Sequence, residues 1–110
     1  MKKQQRSSRK AAQRIQTRNV TKGAGGKRIA KPMYDAMRKA ILTVLPARGE
    51  GVPFTQLMRD VEPHLPKDLY AGASVPWYAT TVKLDLEARG LIERVPGAVP
   101  QRLRRKRQRP

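Results

Sequence analysis

The side chains of this chain best suited to chemistry are cations and the polar residues beside them. Lys27, Arg28 and Lys31 close an acid-free N-terminal stretch, and Arg102, Arg104, Arg105, Lys106 and Arg107 crowd an acid-free C-terminal one. Between them, Trp77, Thr80, Thr81 and Lys83 share the first half of one predicted helix. These types suit a polyanion. Lys and Arg neutralise phosphates, a Thr hydroxyl bonds a phosphate or a base edge, and an indole stacks on a base. No comparable set suits catalysis. Asp60 and Glu62, like Asp85 and Glu87, stand two apart on predicted helices and do not face each other. His64 is the only histidine and there is no cysteine, so neither a transition-metal site nor thiol chemistry is expected. Gly23-Ala24-Gly25-Gly26-Lys27 superficially resembles a phosphate-binding loop. Thr21 stands where that motif needs glycine and Arg28 where it needs Ser or Thr, so the run reads as a flexible linker. The expectation is a binding protein rather than an enzyme, with no cofactor, no metal and no small-molecule substrate.

The distribution of charge sharpens this reading. The 110 residues carry a net charge of +17, from 25 Lys and Arg against 8 acids. Residues 1–31 hold 11 cations and no acid, residues 100–110 hold 6 and no acid, and the middle is balanced. Such an excess implies nucleic acid or an acidic membrane surface. Neither end offers a large apolar face, so the membrane surface is the weaker choice, and no apolar run is long enough to span a bilayer. The N-terminus has no apolar segment behind its charges and does not read as a secretory signal. It is Arg-rich like a mitochondrial presequence, but lacks a convincing apolar face.

The elements that must position these residues lie in the middle. Residues 1–31 read as a disordered basic tail in which a short helix near Arg9–Arg18 can form on a partner. Pro32 suits the first turn of a helix whose apolar face is Met33, Tyr34, Met37, Ile41, Val44 and Leu45, ended by Pro46. Val52 marks a short strand. Phe54, Leu57, Met58, Val61 and Leu65 mark a second helix, stopped by Pro63 and Pro66. Residues 66–73 form a loop with Leu69 and Tyr70 tucked inward. Ser74 caps a third helix over 75–89, and Gly90 closes it in a left-handed conformation. Leu91–Val95 and Gln101–Arg104 then form a hairpin around Pro96-Gly97, the returning strand lying at an edge. The predicted architecture is mainly α with a small β-hairpin: a three-helix domain over 32–104, flanked by disordered basic tails, the second being 105–110.

That order of elements, with Val75, Tyr78, Val82 and Leu86 on one face of the third helix and the run Leu84-Asp85-Leu86-Glu87-Ala88-Arg89-Gly90-Leu91-Ile92-Glu93 after it, resembles the winged helix-turn-helix proteins. Residues 33–105 are more narrowly similar to a family of small uncharacterised bacterial winged-helix proteins. The similar stretches are Tyr34-Asp35-Ala36, Leu45-Pro46-Ala47-Arg48-Gly49-Glu50-Gly51, Val75-Pro76-Trp77-Tyr78 and Pro100-Gln101-Arg102-Leu103-Arg104-Arg105. The resemblance implies a recognition helix able to enter a major groove, with Trp77, Thr80, Thr81 and Lys83 towards the bases.

No Arg, Asn or Gln in that half of the helix offers bidentate base readout, so sequence specificity is expected to be weak. Asp85 and Glu87 count against deep insertion. Affinity is expected from the ends, where engaging about 8 phosphates gives a log–log salt slope near −7. DNA is favoured over RNA, in an architectural protein or small regulator of the cytoplasm, associated with the nucleoid in a bacterium. RNA or ribosome binding is the alternative, and a protein-interaction module a third. Trp77 remains open at this stage as a stacking residue, a core residue or, with Leu84, a homodimer contact.

Overall fold

The computed structural model describes residues 13–21 and 24–106. The chain opens with an antiparallel hairpin, β1 (Arg14–Asn19) and β2 (Ala24–Ala30), and passes directly into α1 (Lys31–Val44). Strand β3 (Val52–Pro53), helix α2 (Phe54–Val61), a 3₁₀ turn (Glu62–His64) and the one-turn helix α3 (Lys67–Tyr70) follow. Helix α4 (Val75–Ala88), β4 (Ile92–Arg94) and β5 (Arg102–Arg105) complete the domain. The second sheet has the order β3–β5–β4, with Val52 opposite Leu103 and Glu93 opposite Arg104.

This is an α+β fold with four helices and five strands in two antiparallel sheets among the described residues. It corrects the expectation of a mainly α domain with a single hairpin. Residues 14–21 and 24–30 are no disordered tail, and Arg14–Arg18 is strand rather than nascent helix. Strand β5 is central rather than an edge, because β3 pairs along its second side.

Local chemistry explains the elements that were foreseen. Pro32 occupies the first turn of α1, and Leu45 is extended before Pro46, as the proline ring requires. Ser74 Oγ accepts the Trp77 N–H at 3.2 Å to cap α4, and Gly90 follows that helix with φ +77°. The core is built from Met37 and Ile41 of α1, Leu57 and Val61 of α2, Val82 and Leu86 of α4, Ile92 of β4 and Leu103 of β5, all fully buried. Tyr70 closes its lower rim, its hydroxyl donating to the Met33 carbonyl at 2.6 Å.

The N-terminal hairpin packs on the side of α4 that the core leaves open. Ile29 and Thr17 are buried beneath it, and the Thr17 hydroxyl donates to the Lys27 carbonyl across the hairpin at 2.5 Å. Gly26 makes that approach possible, since a Cβ there would lie 2.7 Å from Thr17 Oγ1. The Gly25-Gly26 pair is thus part of a strand, not a linker.

Candidate nucleic-acid interface

One buried carboxylate ties the hairpin to two helices of the domain. Asp85 is fully buried in the middle of α4. It accepts the Arg18 backbone N–H at 2.8 Å, the Tyr34 hydroxyl at 2.5 Å and Arg89 Nε at 2.8 Å, joining β1, α1 and the end of α4. Burial, together with the bond to Asp85, pushes the Tyr34 hydroxyl up to about 12. The same carboxylate holds the Arg89 guanidinium above its ordinary value. Arg89 also reaches the Gln16 carbonyl at 3.5 Å, so β1 runs antiparallel to α4.

Two depressions flank β1, and Arg18 lines both. One is an open groove of about 540 Å³ between β1 and α1, where Arg18, Arg38 and Arg89 converge around Tyr34. Its one lining acid, Asp35, pairs with Lys31 at 2.6 Å. Arg89 is offset by Asp85, whereas Arg18 and Arg38 have no acid within ion-pair distance among the described residues. The other is a crevice of about 160 Å³ between the hairpin and α4, lined by Thr17, Arg18, Asn19, Lys27, Thr81 and Leu84 with the Gly25-Gly26 backbone. Arg14, Lys27 and Arg28 add exposed cations along the same hairpin.

The residues expected from sequence divide sharply. Trp77 is 44% exposed, its ring held nearly perpendicular to Tyr78 at 4.9 Å. Thr80 is exposed and donates to the Pro76 carbonyl. Thr81 and Leu84 face the crevice instead of open solvent.

Lys83 requires correction as a groove-facing cation. It is buried, with Nζ 2.8 Å from Glu87 and 5.1 Å from the Phe54 ring centre. Burial lowers its pKa against the opposing pull of Glu87. Glu87 in turn binds Arg94 across to β4. Neither Glu87 nor Asp85 is presented to an incoming phosphate, because both carboxylates are turned into the domain.

The arginines of the last strand are similarly committed. Arg102 donates to the carbonyls of Glu50 and Gly51, and Arg104 to Glu93 and the Gly49 carbonyl. Arg105 donates to the Leu45 carbonyl. These side chains brace the 49–51 turn and the end of α1, which the expected basic strip did not anticipate. Lys106 is exposed, Lys27 and Arg28 are exposed on β2, Lys31 is paired at the start of α1, and Arg107 lies outside the described residues. Sequence reasoning missed Arg14, Arg18, Arg38 and Arg89. The alternation Arg14-Ile15-Gln16-Thr17-Arg18 carried the signal, placing Ile15 and Thr17 inward and the cations outward.

Fold and site together define a small α+β domain with an arginine-lined groove under a basic hairpin. Residues 14–103 match a family of unknown function, DUF6958, and the chain belongs to that family. The matched stretch begins on the first residue of β1 and ends on the buried residue of β5, so it takes in the hairpin. No curated protein and no solved structure matches the chain. No helix among the described residues is long and apolar enough to cross a membrane.

Proposed function

We propose that this is a cytoplasmic, non-enzymatic nucleic-acid-binding protein that grips phosphates with weak sequence specificity. DNA is the first partner, as for an architectural protein or small regulator. The observation carrying this reading is the convergence of Arg18, Arg38 and Arg89 on one open groove whose only lining acid is already paired. Guanidinium groups meet phosphates with bidentate geometry, and the net charge of +17 supplies long-range attraction.

Weak specificity follows from how little of α4 is free. The core takes one side, the hairpin another, and Phe54 and Arg94 cover Lys83 and Glu87. Trp77 and Thr80 in its first turns are left to the outside, too short a surface to read several base pairs from a major groove.

Fluorescence anisotropy of the full chain on duplex DNA, across a salt series, tests the reading. Replacing Arg18 and Arg38 together by Ala removes two phosphate contacts and flattens the log–log salt slope by about 1.8. Neither change disturbs the fold, since the Asp85 bond uses the Arg18 backbone and Arg38 is exposed. An unchanged slope removes the groove from the interface. Structured RNA added as a competitor at equal charge decides which polyanion is preferred.

A further inference from the structure

The crevice beside α4 has a shape and lining that a duplex-gripping groove does not need. We propose that it takes one unpaired nucleotide, the base stacked on Trp77 and the adjoining phosphate held by Arg18 and Lys27. This deepens, and rests on, the nucleic-acid reading above.

The register of β1 on α4 puts the parts together. Gln16 meets Arg89 and Arg18 meets Asp85, so two strand residues advance alongside four helical ones. This matches about 3.3 Å per strand residue against about 1.5 Å per helical residue. The same step carried on brings the end of β1 to Thr81, where the crevice lies. Trp77 precedes Thr81 by four residues, which places it one turn farther along the same face.

An indole left 44% exposed one helical turn from the Thr81 wall of a polar crevice is an uncovered apolar surface, and the crevice itself is lined by two cations, Arg18 and Lys27. Tyr78 holds the indole at 4.9 Å and so limits the freedom it would lose on binding. Neither Arg18 nor Lys27 has an acid within ion-pair distance among the described residues. A crevice of about 160 Å³ is too small for a base pair with its two backbones. A single base is a flat aromatic ring system of much the same size as the indole it would cover. Base–aromatic stacking tolerates sequence, in keeping with weak specificity.

Trp77 is the only tryptophan in the chain, so its fluorescence reports this contact directly. The full chain is titrated with a single-stranded oligodeoxynucleotide and with a blunt duplex of equal total charge, while anisotropy of a label on the nucleic acid reports binding. The single strand is expected to quench Trp77 in step with binding, and the duplex to bind without quenching. Trp77→Ala is expected to weaken single-strand binding about tenfold and duplex binding hardly at all. Trp77→Phe, which keeps a stacking face, should restore most of that loss, and Lys27→Ala should weaken the single strand further at low salt. Single-strand binding that leaves Trp77 fluorescence unchanged overturns the proposal while leaving the phosphate grip intact. Equal losses on both nucleic acids with Trp77→Ala do the same. Failure of the full chain to bind either nucleic acid overturns both readings.

Discussion

Asp85 shows how one residue changes meaning between sequence and fold. In the sequence it reads only as a carboxylate that counts against deep insertion of the helix into a groove. In the molecule it is fully buried and takes donors from β1, α1 and Arg89. A buried carboxylate is tolerable only when its lone pairs are filled, so each donor matters. Tyr34→Phe deletes one and should lower stability by about 1.5–3 kcal/mol at neutral pH, read from urea unfolding. The pH dependence has a definite sign. Burial first, then the bond to Asp85, raises the Tyr34 hydroxyl from 10.0 to about 12, so between those values the folded state holds the proton more tightly than the unfolded one. The contribution is complete below pH 10 and is lost as pH rises towards 12. The stability gap between the parent and Tyr34→Phe should therefore close across that window. A gap that stays constant would show that the hydroxyl contributes nothing through its proton.

At the scale of elements, α4 is the axis of the domain and β5 its clamp. Helix α4 is held on two different sides by internal ion clusters, Asp85 with Arg89 on one and Glu87 with Lys83 and Arg94 on another. Strand β5 gains its central place by pairing with β3, which the turn at Gly49–Gly51 delivers to it. Gly51 is indispensable to that turn on two counts. Its φ is +74°, and a Cβ there would lie 2.4 Å from the Leu103 carbonyl oxygen. Gly51→Ala should cost about 2 kcal/mol or more and loosen the Val52–Leu103 pairing. Gly49→Ala, also at positive φ but with open space around it, should cost only about 1–2 kcal/mol. Unfolding midpoints of the two variants provide the comparison, and equal losses would remove the close approach as a cause.

For the whole molecule, the hairpin decides where the domain begins. Ile29 buries its side chain on the core, and Arg18 fills a lone pair of Asp85. Deleting residues 1–30 strips both, at about 2 kcal/mol or more for the apolar contact and about 1–3 kcal/mol for the orphaned carboxylate. The truncated chain should lose at least about 3 kcal/mol of stability, a large share for a domain this small. A urea midpoint matching that of the full chain would make the N-terminus a separable appendage after all. The consequence for function is direct, because the groove and the crevice both have β1 as a wall.

Much was legible in the sequence where the cause is local. The ends of α1 and α4 follow from Pro32, Pro46, Ser74 and Gly90, whose preferences act within a turn of themselves. The apolar spacing of Met37, Ile41, Leu57, Val61, Val82 and Leu86 specified the core for the same reason. The charge of the ends was likewise open to counting. Tertiary structure alone decided which charges are spent inside the fold. Arg102, Arg104 and Arg105 are bound to backbone carbonyls and an acid, and Lys83 to Glu87, whereas Arg18 and Arg38 are left to the groove. It also decided that Arg14–Asn19 and Ala24–Ala30 are paired strands. With Ile15 and Ile29 as their largest inward side chains, those residues bury too little to order themselves, and the partner that completes them, Asp85, stands 67 residues away from Arg18 in sequence. A hydrogen bond across that span exists only once α4 is already packed, which no local pattern can encode.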